Sequence, residues 1–74
     1  MKTPNNLNDL NKMLSENGFE SDEYNGKTIY INNIEIGYDS TRELWFFADK
    51  KIITKELKQI LKDKNKISEL INDV

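Results

Sequence analysis

The stretch Lys27-Thr28-Ile29-Tyr30-Ile31-Asn32-Asn33-Ile34-Glu35-Ile36-Gly37-Tyr38 decides the fold. On both sides of Asn32-Asn33 every second residue is a large apolar one, the spacing of strands that bury one face. Asn tolerates positive φ, so Asn32-Asn33 suits a two-residue type I′ turn. That turn sets Ile31 opposite Ile34 and Ile29 opposite Ile36, which gathers four isoleucines on one side of a hairpin. Pattern and turn chemistry agree.

Downstream, Glu43 to Ala48 reads Glu-Leu-Trp-Phe-Phe-Ala, a third strand that is apolar on both faces. Its facing depends on the loop around Ser40-Thr41. An even loop sets Ile36 opposite Trp45 and Ile34 opposite Phe47, so Trp45 and Phe47 are core while Leu44, Phe46 and Ala48 lie outside beside Tyr30. An odd loop sends Leu44 and Phe46 inward and leaves Tyr30, Trp45 and Phe47 outside. Upstream, Asn25-Gly26 is a second turn signal, and Phe19 to Tyr24 before it forms at most a short fourth strand at the edge. Glu20-Ser21-Asp22-Glu23 has poor strand propensity.

Helices flank the sheet. Leu7, Leu10, Met13 and Leu14 share one face of a helix over 5–17, with Thr3-Pro4, Asn5 or Asn6 at its start. Asn17-Gly18 ends it, with Gly at the left-handed position and Phe19 folding back on Leu14. Thr54 reads as the N-cap of a last helix whose Leu57, Ile60, Leu61, Ile67, Ile71 and Val74 share a side, with an interruption at Asn65. The expectation is a single α+β domain over 1–74, ordered helix, three- or four-stranded antiparallel meander, helix.

Composition narrows the chemistry. The 74 residues cannot be divided between two cores. No cysteine is present, so disulfides and thiolate chemistry are excluded, and no histidine supplies a general base or metal ligand. Ser15, Ser21, Ser40 and Ser68 have no histidine to activate them, and there is no glycine-rich phosphate loop. Carboxylates acting alone need a cleft that shifts their pKa values, which a domain of this size rarely encloses. Catalysis and cofactors are therefore not expected. Ser21, Glu23, Asn25 and Gly26 match the early positions of an EF-hand loop, but Asn32 stands where a bidentate Glu is required, so an acidic turn is the better reading and no metal site is expected.

The opening Met1-Lys2-Thr3-Pro4-Asn5-Asn6 lacks an apolar leader, and no apolar run nears the roughly 20 residues that cross a bilayer, which points to a cytoplasmic protein. Asn (10), Lys (10) and Ile (9) dominate the composition, as an AT-rich coding sequence produces, which suggests a bacterial, phage or mobile-element origin. The net charge of −2 conceals a division. Residues 1–49 carry net −5 and residues 50–66, with seven lysines against Glu56 and Asp63, carry net +5.

Two surfaces could meet a partner. Lys51, Lys55, Lys58, Lys62 and Lys66 recur at helical spacing opposite the apolar stripe, a row of phosphate contacts or a docking face for an acidic partner; as a plain reading, it is the solvated side of an amphipathic helix. The row contains no Arg, so any nucleic-acid binding would follow the backbone and weaken with salt. The aromatic strand gives the other surface. Tyr30, with Phe46 or with Trp45 and Phe47 according to the loop, would form beside Glu35 an exposed apolar patch of the kind that marks protein contacts or self-association, unless a helix covers it.

The order helix, three strands, helix is similar to that of double-stranded-RNA-binding domains, with Lys50, Lys51 and Lys55 near the start of the second helix. That resemblance implies contacts to a duplex backbone. It departs from the family in its basic spacing and at Asn32-Asn33, which leaves no room for the loop those domains insert into a minor groove. Leu14-Ser15-Glu16-Asn17-Gly18-Phe19 and Lys55-Glu56-Leu57-Lys58-Gln59-Ile60-Leu61 look like segments of HicA-type mRNA interferase toxins. Those toxins rely on a strand histidine, which this chain lacks, so their activity does not carry over. The residues themselves favour a non-enzymatic protein-binding module, an accessory protein inhibiting or modulating a partner such as a host nuclease or defence complex. A nucleic-acid backbone binder is the alternative, and a structural homo-oligomer the third reading.

Overall fold

The computed structural model describes residues 4–71. Thr3 as a helix cap, Val74 in the apolar stripe and Asp73 in the charge division lie outside the described residues. Element order is α1 (Leu7–Glu16), β1 (Glu23–Tyr24), β2 (Ile29–Ile31), β3 (Ile34–Asp39), β4 (Leu44–Phe47), β5 (Lys50–Ile53), α2 (Thr54–Ile60) and α3 (Lys64–Ile71). The strands form one antiparallel meander in the order β1-β2-β3-β4-β5. The α+β reading holds, with five strands in place of three or four and two helices in place of one at the C-terminal side.

Asn6 caps α1, its side-chain oxygen accepting from the Asp9 N–H at 2.9 Å. At the other end the Phe19 N–H donates to the Leu14 carbonyl and the Gly18 N–H to that of Ser15, the paired bonds of a Schellman motif. Gly18 carries φ +89, which a side chain would resist, and Phe19 packs on the core. The Asn32-Asn33 turn has φ of 50 and 67, and it pairs Ile29 with Ile36 and Ile31 with Ile34 as its chemistry requires.

The next loop settles the facing of β4. The Asp39 carboxylate accepts from the Thr41 and Arg42 N–H groups, and Glu43 closes the loop at φ 56. Ile36 lies opposite Phe47 and Tyr38 opposite Trp45. This register is offset by two residues from the even-loop expectation, because Glu43 belongs to the turn and Asp39 to the strand. An offset of two leaves every side chain on its face.

The hairpin from β4 to β5 was not expected. Its two-residue connection is Ala48-Asp49, and Ala48 holds φ 56, a conformation usually left to Gly or Asn. Trp45 pairs with Ile52 and Phe46 with Lys51. The last helical stretch then breaks at 61–63, not at Asn65. Asp63 begins the second piece, its carboxylate accepting from the Asn65 N–H at 2.9 Å in the manner of a cap.

Leu7, Leu10 and Leu14 of α1, Leu57 of α2, Leu61 just past its end, and Ile67, Leu70 and Ile71 of α3 join one buried cluster. The sheet side of that cluster is Ile29, Ile31, Ile34, Ile36, Trp45, Phe47 and Ile52. Every residue of the other sheet face is exposed or half-buried. The helices therefore cover one side of the sheet and leave the other bare.

Candidate functional site

The bare face follows from strand pairing. Side chains alternate across each strand, so the partners of the core residues define the inner side and their neighbours the outer one. Glu23, Tyr30 and Glu35 form one cross-strand row. Gly37, Phe46 and Lys51 form a second, and Asp39, Leu44 and Ile53 a third. Tyr30, Leu44 and Phe46 are half-buried, while Ile53 is 51% exposed. Around this strip stand the carboxylates of Glu23, Glu35, Asp39 and Asp49, with Lys51 as the base among the rows.

Gly37 gives the face its shape. Open space stands above it, and a shallow hollow of about 450 Å³ is lined there by Thr28, Glu35, Gly37, Phe46, Ala48 and Asp49. The hollow has an aromatic wall and two exposed carboxylates at its border. It suits an apolar or cationic side chain entering from outside.

The expected site residues divide between the two faces. Tyr30, Glu35 and Phe46 are on the outer face, the arrangement that the even loop implies. Trp45 and Phe47 are 0% and 2% exposed, so both are core, and a surface contact through their side chains is corrected by that burial. Trp45 stacks on Tyr38, ring centroids 4.0 Å apart, and its indole N–H reaches Thr54 Oγ1. Thr54 is correspondingly not a cap: Ile53 holds that position and Thr54 is the first helical residue. Leu44 and Ile53 belong to the outer strip as well. An even loop implies the place of Leu44, whereas Ile53 owes its place to β5, which the sequence pattern does not mark.

The lysine row is redistributed. Lys51 lies on β5 and the outer face, Lys55 and Lys58 on α2, Lys62 in the turn after it, and Lys66 on α3. A single helical stripe is therefore corrected to lysines spread over several elements. Lys50 and Lys51 also leave the helix start where the resemblance to RNA-binding domains had set them. In the EF-hand-like segment, the Asn25 side-chain oxygen accepts from the Lys27 and Thr28 N–H groups, so this oxygen shapes the turn between β1 and β2. Among the described residues no group of three Asp or Glu side chains is gathered for a metal, and no helix is long and apolar enough to cross a membrane. No protein-family model matches the chain, and no curated protein or solved structure matches it either.

Proposed function

We propose that this protein is a non-enzymatic binding module whose outer sheet face docks on a basic, partly apolar surface of another protein. One observation carries the reading: an uncovered sheet face on which Tyr30, Leu44, Phe46 and Ile53 lie among the carboxylates of Glu23, Glu35 and Asp39, with Asp49 at the turn beside Phe46. Apolar area supplies affinity, and the carboxylates choose and orient a positively charged partner. Such a module acts by occupying a surface, as an inhibitor or modulator does. A small accessory protein of bacterial, phage or mobile-element origin suits the size and the composition.

The test is affinity capture from host lysate with the wild type, with Tyr30→Ala/Phe46→Ala, and with Lys12→Ala on α1 as a control, each checked for folding by Trp45 emission. The reading expects partners held by wild type and control to be lost by the double variant. Equal recovery by all three contradicts it. The nucleic-acid alternative rests on exposed Lys51, Lys55, Lys62 and Lys66, and predicts a low-salt mobility shift of duplex RNA or DNA that vanishes as salt rises.

A further inference from the structure

The two margins of the sheet differ. β1 is two residues long and sits in the acidic run Glu20, Asp22 and Glu23, a short charged edge of the kind that resists pairing. β5 runs for four residues, contains no proline, and pairs with β4 alone among the described residues. An antiparallel ladder points alternate N–H and C=O groups to either side, so a strand with one neighbour keeps a set for another. Beside this margin, on the helix side of the sheet, Lys50, Ile60, Lys66, Glu69 and Leu70 line a groove of about 230 Å³. On the outer side stands Ile53, the large apolar side chain most exposed among the described residues.

We propose that the β5 margin receives an extended acidic segment of a partner protein, added to the sheet as a further strand through main-chain pairing. Side chains of an added strand alternate between faces. Those on the helix side enter the groove between Ile60 and Leu70, and those on the outer side meet Lys51 and Ile53. Main-chain bonds supply affinity and the groove supplies selection.

Charge decides the occupant. Lys50 and Lys66 border the groove against the single acid Glu69 in its lining, Lys51 stands on the outer side, and Lys55 is exposed on the adjoining helix. Lysine on an edge strand disfavours pairing between copies. An acidic strand is the complement. The margin shares Lys51 and Ile53 with the outer face, whereas its main-chain edge and its groove lie apart from that face.

Titration of the ¹⁵N-labelled protein with a blocked octapeptide of alternating glutamate and valine tests this. The expected result is amide shifts concentrated in Lys50–Ile53, slowed exchange of the alternate amides there that point away from β4, and binding that weakens with salt. The same peptide N-methylated at alternate residues should bind at least about tenfold more weakly, having lost main-chain donors. Lys50→Glu/Lys51→Glu should lose binding as well; if that variant does not fold, the N-methylated comparison on wild type decides. No shift at millimolar peptide, shifts confined to β1 or the outer face, or equal binding of the N-methylated peptide overturns the proposal. So does a concentration-dependent dimer with β5 amides already protected, which would make the occupant a second copy.

Discussion

The indole N–H of Trp45 donates to Thr54 Oγ1 at 2.9 Å, and the same hydroxyl donates to the Glu43 carbonyl at 3.1 Å. One threonine thus joins the loop before β4, the largest core side chain, and the first turn of α2. It satisfies a polar group that Trp45, at 0% exposure, carries into the core.

Thr54→Val keeps the shape and removes both bonds. Leaving the indole N–H without an acceptor should cost about 1–3 kcal/mol, whereas Thr54→Ser should retain most of the stability. Urea unfolding followed by Trp45 emission measures both. Equal stability of Val and wild type would show that the bridge contributes nothing.

Adjacent aromatics should respond oppositely. Phe47→Ala empties a buried site and should cost about 3–5 kcal/mol, close to the whole stability of a domain this small. Phe46→Ala, on the outer face, should cost about 1 kcal/mol or less. Thermal unfolding of the two variants checks the assignment of faces, and a reversed order would place β4 the other way round.

Ala48 turns between β4 and β5 at φ 56. Left-handed backbone costs a residue with a Cβ about 1–2 kcal/mol, and glycine returns part of that gain as entropy. Ala48→Gly should therefore stabilise the protein by about 0.5–1 kcal/mol, and Ala48→Val should destabilise it. A denaturation midpoint lowered by glycine would refute the strained turn.

Gly37 separates stability from binding. Its backbone is not left-handed and open space lies above it, so a side chain fits without displacing anything. Gly37→Thr should raise stability by roughly 0.5–1 kcal/mol through better strand propensity. By filling the hollow it should weaken capture of the outer-face partner. A variant more stable than wild type that holds the same partners equally would remove the hollow from the contact surface.

The central hairpin could be read from residues because Asn32-Asn33 and the isoleucine alternation demand the same register. The α1 stop was equally plain at Gly18-Phe19. The hairpin to β5 is hidden because the residue at positive φ is Ala48, which does not favour it, so Ile52-Ile53 reads as the approach to a helix. Without β5, Lys51 reads as part of the helical lysine row and Ile53 has no role. The facing of Trp45 and Phe47 rested on loop parity, and it was the Asp39 side chain with Glu43 at positive φ that fixed the loop. Of the aromatic patch, Tyr30 and Phe46 with Glu35 remain outside.

Site-specific photo-crosslinking in the host measures the outer face most directly. A benzophenone amino acid at position 46, at position 30, or in place of the exposed Glu16 of α1 probes the two sides of the same fold. The outer-face account predicts a discrete protein adduct from 46 and 30 and none from 16. An adduct from position 16 with none from 46 or 30 would contradict it.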